Sequence, residues 1–220
     1  MCGRFVLVDD ADELIEAFDA APSNDLPTGP RYNICPTTQI SAVTSDNGAR
    51  RLRPMRWGFL PRWYKTPTDG PLLINARAES VAEKPAFREA ARTRRCLIAM
   101  NGFYEWRKDA AGERIPWYFH PREAPRAFAG IWQEWGVENI ATCAIVTCAA
   151  GAAMAEIHHR EPVTLAPADW PLWLGEAGHG AARLMRAAPE GAMQRYRVGH
   201  AVNSNRAEGR DLIEPLAETT

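Results

Sequence analysis

The sequence predicts an α+β fold, a single domain built on a curved, barrel-like, mainly antiparallel sheet with helices at its periphery. Short segments typical of strands outnumber helical ones along the 220 residues. They do not alternate regularly with helices, as the strands of a parallel βαβ sheet would. Neither an internal repeat nor a break in composition divides the chain. We therefore expect one domain over residues 1–220.

The first predicted element is a helix over residues 9–20. Asp9 or Asp10 can cap its first turn, because a short acidic side chain accepts from the unpaired backbone N–H groups there. Leu14 and Phe18 are four positions apart and share one apolar face. This segment is typical of an amphipathic helix at the edge of a core.

A second helix is predicted over residues 80–93. Ser80 and Glu83 have the spacing of a capping box, which would place Pro85 near the first turn. The other predicted elements are strands over residues 39–44 and 51–57 with the turn signal Asp46-Asn47-Gly48 between them, a loop over 60–71, strands over 96–100, 117–119, 126–132, 140–147 and 195–202, and helices over 167–174 and 180–186.

Composition narrows the function classes. A formal net charge of −1 argues against a protein that coats nucleic acid through its overall charge, but allows a local basic groove. The five cysteines have irregular spacing, which predicts neither a disulfide framework nor a metal site. We find no pattern of a signal peptide or of a membrane span. We therefore expect a cytoplasmic protein, monomeric, with no membrane partner, no metal and no cofactor.

Cys2 directly follows the initiator methionine. If Met1 is removed, Cys2 carries a primary amine and a thiol on adjacent carbons. The α-amine has a pKa of about 8, against about 10.4 for a lysine, so more of it is neutral near pH 7. A neutral amine can attack an aldehyde to form an imine, and the adjacent thiol can then close a five-membered thiazolidine ring. An internal cysteine lacks the amine.

The sequence resembles the SOS-response-associated peptidase (SRAP) family along nearly its whole length. Six stretches carry the resemblance in order, and a C-terminal segment is similar to the family's end. These are Met1-Cys2-Gly3-Arg4-Phe5, Arg31-Tyr32-Asn33-Ile34 with Pro36, Trp57-Gly58-Phe59-Leu60-Pro61, Ile74-Asn75-Ala76-Arg77-Ala78-Glu79, Gly102-Phe103-Tyr104-Glu105-Trp106, Ile157-His158-His159-Arg160 with Pro162, and Val202-Asn203 with residues 211–215.

The resemblance implies an abasic-site processing protein. Such a protein loses Met1 by self-cleavage or removal and then forms a covalent thiazolidine crosslink between Cys2 and an abasic site in single-stranded DNA, which shields the lesion during repair. It implies that Asn75 orients the α-amine, that Glu105 moves protons, and that His158 assists opening of the abasic sugar and crosslink reversal. The adjacent His159 leaves open which histidine acts, and alignment on Ile157 favours His158.

The same resemblance implies a set of DNA contacts, including contacts at single-strand/double-strand junctions. Aromatic side chains in a loop would stack on bases without sequence preference, as a lesion-directed protein requires. The implied DNA-binding residues are Arg4, Asn33, Trp63, Tyr64, Arg77 and Thr147. A further group of arginines either widens the positive surface or forms a solvated strand face: Arg50, Arg51, Arg53, Arg56 and Arg62.

Two other functions fit parts of the sequence. Glutamine amidohydrolases of the N-terminal nucleophile class also begin with Cys-Gly after Met removal, and Asn101-Gly102 could serve as their oxyanion pair. A non-covalent reader of damaged DNA would need no reactive Cys2. A glutaminase assay distinguishes the first alternative, and a denaturing gel after incubation with abasic DNA distinguishes the second.

Overall fold

The structure is a computed structural model that describes residues 2–123 and 125–216. Its strands are β1 (Phe5–Leu7), β2 (Ala21–Pro22), β3 (Arg31–Ile34), β4 (Gln39–Asp46), β5 (Ala49–Trp57), β6 (Asn75–Arg77), β7 (Arg95–Met100), β8 (Gly102–Lys108), β9 (Arg114–Pro121), β10 (Arg126–Trp135), β11 (Ile140–Ala149), β12 (Arg160–Pro162), β13 (Thr164–Leu165) and β14 (Met193–Arg197). Its α-helices are α1 (Ala11–Phe18), α2 (Arg88–Thr93), α3 (Ala152–Ala155) and α4 (Trp170–Leu174).

The larger sheet closes into a barrel. Its strands are ordered β12-β11-β10-β7-β4-β5-β2, and an additional parallel pairing joins β5 to β11. The strands β11, β10, β7, β4 and β5 therefore form a ring whose other four pairings are antiparallel. A ring with an odd number of strands needs one parallel pair, which β5–β11 provides. The predicted α+β class with a curved, mainly antiparallel sheet is confirmed.

The hairpin between β4 and β5 forms where its turn signal predicts. Asp46 pairs with Ala49 across a two-residue turn. Asn47 and Gly48 both have positive φ, 49° and 83°, as a type I′ turn requires. Because this turn matches the twist of the flanking strands, the local sequence alone sets the register of the hairpin.

A second, five-stranded sheet is ordered β14-β9-β8-β1-β3 and packs against the barrel. Phe5 of β1 contacts two barrel aromatics edge-on, with ring centroids 5.2 Å from Trp57 and 5.6 Å from Phe128. Phe103 of β8 stacks on Phe119 at 5.1 Å. Residues 5–7 are held inside the core, because β1 lies between β8 and β3 in this sheet.

The cap of α1 settles the choice between the two candidate residues. Asp10 accepts from Glu13 N, and the Glu13 carboxylate accepts in return from Asp10 N, so a full capping box is present. Leu14 and Phe18 are buried, as predicted. The helix ends at Phe18 rather than Ala20, because Asp19 adopts the left-handed conformation with φ of 48°.

The predicted helix over residues 80–93 is wrong in its first half. Residues 78–87 form successive turns, and α2 begins only at Arg88. Pro85 has no N–H to donate and disfavours helical backbone at Lys84. The Ser80 carbonyl accepts from Glu83 N and Lys84 N, and no helix continues beyond those bonds.

Three further elements are shorter than predicted. The last strand ends at Arg197, and residues 200–203 form a 3₁₀ turn instead. Residues 167–174 divide into a 3₁₀ turn and α4, while residues 180–186 contain only a 3₁₀ turn over Ala181–Leu184. Glycines at 175, 178 and 180 take positive φ, which interrupts helical backbone in this region.

The helices of the described residues are all too short or too polar to span a membrane. Within residues 2–123 and 125–216, no group of three or more His, Cys, Asp or Glu side chains could hold a metal ion.

Candidate active site

Cys2 is fully buried three residues before the start of β1. Its carbonyl oxygen accepts a hydrogen bond of 2.9 Å from Nδ2 of Asn75, which is 73 residues away in sequence. Asn75 begins β6 and lies opposite Ile145 of β11 in parallel register. The barrel edge therefore fixes the backbone of Cys2 through one side-chain amide.

A cavity of about 310 Å³ is lined from Gly3 onwards, the residue that follows the buried Cys2. It combines one carboxylate and one imidazole with three cationic side chains, so it suits an anionic ligand that must also exchange protons. Its lining residues are Gly3, Arg4, Glu105, Trp106, Lys108, Arg114 and His158.

Glu105 is a buried carboxylate on β8, and Trp106 N donates to its Oε1 at 3.4 Å. Its charge affects the Cys2 thiol. Burial raises the pKa of that thiol far above its ordinary value, and the negative charge of Glu105 raises it further. The Cys2 thiol is therefore protonated near neutral pH, and a nearby base must take its proton when sulfur reacts.

His158 reaches the same cavity from the segment between α3 and β12. Its Nδ1 lies 3.0 Å from Arg160 N and 3.1 Å from the Arg160 carbonyl oxygen, so it can accept from the first or donate to the second. The backbone of Arg160 therefore orients the ring through its Nδ1 edge. His159 stacks on His158 with ring centroids 4.3 Å apart, and the charge of His158 lowers the pKa of His159.

Arg160 is a functional candidate to which the sequence analysis assigned no role. Its guanidinium forms a bidentate ion pair with Glu79, at 2.7 and 2.9 Å, across 81 residues of sequence. It also donates to the carbonyl and hydroxyl oxygens of Thr147 at 2.7 and 3.3 Å. Arg160 thereby ties the His158 segment to β6 and β11.

Thr147 itself is fully buried. The Thr147 hydroxyl accepts a hydrogen bond from the Arg160 guanidinium. Contact between Thr147 and DNA phosphate stays a prediction.

Arg4 and Asn33 form one network beneath the cavity. Arg4 Nη1 donates to Asn33 Oδ1 and to the Val202 carbonyl, both at 2.9 Å. Asn33 Nδ2 in turn donates to the carbonyls of Ser204 and Ala207, at 3.1 and 2.8 Å. Asn33 thus orients Arg4 and anchors the C-terminal segment, while Arg4 lines the cavity.

The aromatic loop, residues 60–71, presents Trp63 to solvent with 60% of its surface exposed. Tyr64 is half-buried, and its ring centroid lies 6.4 Å from that of Trp63. Trp135 Nε1 donates to the Tyr64 carbonyl at 2.9 Å, which ties the loop to the end of β10. Arg77 is exposed at the end of β6.

The structure brings Cys2 and Asn75 into direct contact and places Glu105, His158 and Arg4 around the adjoining cavity. Trp63 and Tyr64 lie in a separate loop. Asn101, the residue invoked for the amidohydrolase alternative, is engaged elsewhere. Its Oδ1 accepts from Val8 N at 2.7 Å and its Nδ2 donates to Asp9 at 2.9 Å.

The chain is similar to known proteins along nearly its whole length. The family model SOS response associated peptidase (SRAP) matches residues 1–205. "Abasic site processing protein YoqW" of Bacillus subtilis is 34% identical, over 97% of this chain and 99% of its own. "Abasic site processing protein YedK" of Escherichia coli is 27% identical over 98% and 100%. A solved protein from Bacteroides thetaiotaomicron superposes with a TM-score of 0.84 at 21% identity, covering 98% of this chain and all of its own. The chain therefore belongs to the SRAP family.

Proposed function

We propose that this protein senses abasic sites in single-stranded DNA and binds them covalently through Cys2 once Met1 has been removed. The names of YoqW and YedK support a role in abasic-site processing. The observation that carries the chemistry is the position of Cys2, buried against Asn75 beside a cavity that contains Glu105 and His158.

The proposed reaction balances without a cofactor. The Cys2 amine adds to the C1′ aldehyde of the opened abasic sugar, and the resulting carbinolamine loses water to give an imine. The Cys2 sulfur then bonds to the imine carbon while the thiol proton moves to nitrogen. The products are a thiazolidine and one water, and no atom is oxidised or reduced.

Each polar group has a proposed task in this reaction. Asn75 Nδ2 holds the Cys2 carbonyl, and Asn75 Oδ1 has no hydrogen-bond partner among the described residues, so it offers an acceptor to the amine. Glu105 relays protons between water, thiol and nitrogen, as a carboxylate beside the thiol can. His158 assists sugar opening and crosslink reversal.

Met1 lies outside the described residues, and its loss is part of the proposal. Cleavage of the Met1–Cys2 bond consumes one water and produces the free amine. We assign the peptidase activity implied by the family name to this cleavage. We further propose that Arg4, Asn33, Trp63, Tyr64, Arg77 and Thr147 hold the DNA, and that the protein acts as a cytoplasmic monomer at the nucleoid, including at single-strand/double-strand junctions.

The test is a denaturing gel after incubation with single-stranded DNA that contains one abasic site. The wild type should form a slow-migrating species that survives denaturation. The Cys2→Ala variant and undamaged DNA of the same sequence should not. A Cys2→Ala protein that shifts as strongly as the wild type would rule out the thiazolidine.

A further inference from the structure

Three arginines of β5 line a groove of about 470 Å³, defined here as the β5 groove. They are Arg51, Arg53 and Arg56, and Asn24 and Asn139 lie among the other lining residues. The arginine cluster of the sequence separates here into two groups. Arg50 is paired with Glu176 at 2.7 Å, and Arg62 lies 3.1 Å from Glu89. Only the three groove arginines share one surface.

The groove arginines have few acceptors in the protein. The Arg51 side chain makes no hydrogen bond or ion pair with the residues that the structure describes. The guanidinium of Arg53 lies 4.7 Å over the Trp132 ring, and the Glu134 carboxylate is 3.9 Å away from it. A planar guanidinium that has few acceptors within the protein is suited to phosphate oxygens, which accept two parallel N–H bonds.

Of the three groove arginines, Arg56 is the nearest in sequence to the aromatic loop. Its Nη1 donates to the Gly58 carbonyl at 2.6 Å. Gly58 has a φ of 138°, and a Cβ there would stand 2.6 Å from Arg56 Nη1. The glycine thus lets the guanidinium lie flat against the backbone that leads into residues 60–71.

The register of β11 relates the groove to the candidate active site. Asn75 lies opposite Ile145, and Arg56 lies opposite Thr142 on the same strand. Three residues correspond to about 10 Å along β11, and Arg51 lies five residues further, about 17 Å beyond. The β10–β11 turn also borders the groove, because it contributes Asn139 to the lining.

We infer that the β5 groove binds the phosphodiester backbone of the DNA that flanks the lesion beyond the aromatic loop. This inference rests on the proposed function for the identity of the partner as DNA. The groove holds the flank by charge and contributes no base recognition. A chain with a net charge of −1 must concentrate its cations in such tracts to bind a polyanion.

The test measures equilibrium binding to undamaged, fluorescently labelled DNA, so that its readout does not depend on crosslinking. The variant Arg51→Gln/Arg53→Gln is compared with Arg183→Gln/Arg186→Gln, which removes the same charge from two exposed arginines outside the groove. A 30-nucleotide single strand and a duplex of equal length distinguish the two sources of phosphate. Arg51→Glu, at a side chain without a described partner, serves if the double variant unfolds.

We expect the groove variant to bind at least one of the two DNAs about tenfold more weakly. For the single strand, its slope of log K against log [KCl] should be shallower by about 1.4, since each lost phosphate contact contributes about 0.7. The control variant should match the wild type. Equal slopes for groove and control variants on both DNAs would overturn the inference. A shallower slope in a protein that forms no crosslink would uphold the groove and reject the proposed covalent function.

Discussion

The backbone of Arg160 holds Nδ1 of His158, with its nitrogen 3.0 Å and its carbonyl oxygen 3.1 Å from that atom, while its guanidinium donates to both oxygens of Glu79. One residue therefore orients the imidazole and fastens its segment to the barrel. An imidazole in a fixed position can deliver a proton to the sugar ring oxygen, which must gain one when the hemiacetal opens.

The Glu79–Arg160 pair should act on the reaction through His158. We predict that Glu79→Gln slows crosslinking of abasic DNA about tenfold, with little change in the DNA concentration needed for half-maximal rate. The physical reason is a looser His158 segment. Rates from single-turnover gels check this, with Glu83→Gln, an exposed carboxylate nearby in sequence, as control. An unchanged rate would show that the pair only supports the fold.

The same pair predicts a pH dependence of stability. Hydrogen bonds from Arg160 lower the pKa of Glu79 below its ordinary value of 4.5. A depressed folded pKa contributes stability above the unfolded pKa, and that stability is lost as pH falls through the folded pKa. The free energy of unfolding should therefore fall by about 0.5–1 kcal/mol in Glu79→Gln at neutral pH. The difference from the wild type should vanish in strong acid, as urea unfolding at several pH values can show.

His158 should matter for opening the sugar and not for ring closure on Cys2. We predict that His158→Phe lowers the crosslinking rate by about a hundredfold on a natural abasic site, within the range of general acid–base catalysis. An oligonucleotide whose aldehyde cannot close to a hemiacetal should restore most of the rate. If both substrates react equally slowly, His158 acts at a later step. The His159→Phe variant, measured on the same two substrates, shows whether the effect belongs to His158 or to the adjacent His159.

Glu105→Gln should make alkylation of Cys2 faster and its crosslinking to abasic DNA slower. Removing the negative charge lowers the pKa of the Cys2 thiol, because that charge disfavours the thiolate. Alkylation of Cys2 by iodoacetamide at a fixed, mildly alkaline pH should therefore become faster. Crosslinking should become slower by about 10²–10⁴, because the proton relay is gone. Glu113→Gln, at a 59% exposed side chain, is the control. Parallel changes in both rates would contradict the assigned role.

Trp63 should contribute to DNA binding and leave the covalent step unchanged. Stacking of one base on an aromatic side chain is worth about 1–3 kcal/mol, so Trp63→Ala should raise the half-saturating DNA concentration about tenfold or more. The rate at saturating DNA should stay at the wild-type value. Val137→Ala, at a fully exposed side chain in the β10–β11 turn, is the matched control. A loss confined to the saturated rate would place Trp63 in the chemistry instead.

Local signals in the sequence predicted those elements that local bonds determine. The hairpin at Asn47-Gly48 and the cap of α1 depend on residues a few positions apart, and both form as expected. The helix predicted from Ser80 shows the limit, since the constraint from Pro85 outweighs a capping pattern. Closure of the barrel by β5 and β11 joins segments about 86 residues apart, and no periodicity of either strand reveals it.

The candidate site follows the same division. The sequence motifs point to Cys2, Asn75, Glu105 and His158. The structure adds the hydrogen bond between Cys2 and Asn75 and the cavity that Glu105 and His158 line. No sequence pattern indicates the ion pair between Glu79 and Arg160, because it spans 81 positions, although both residues lie in motifs that resemble the family. The separation of Arg51, Arg53 and Arg56 from the paired Arg50 likewise depends on Glu176, which the sequence does not place beside β5.

Cys2→Ser tests the central claim most directly, because serine keeps the α-amine and removes the thiol. Mature wild-type protein, verified by intact mass to lack Met1, should give a crosslink to abasic DNA that survives denaturation without reductant. Cys2→Ser should form only an imine, which survives denaturation after trapping with borohydride and not otherwise. A Cys2→Ser crosslink as stable as the wild type without borohydride, or wild-type crosslinking by protein that retains Met1, would contradict the account.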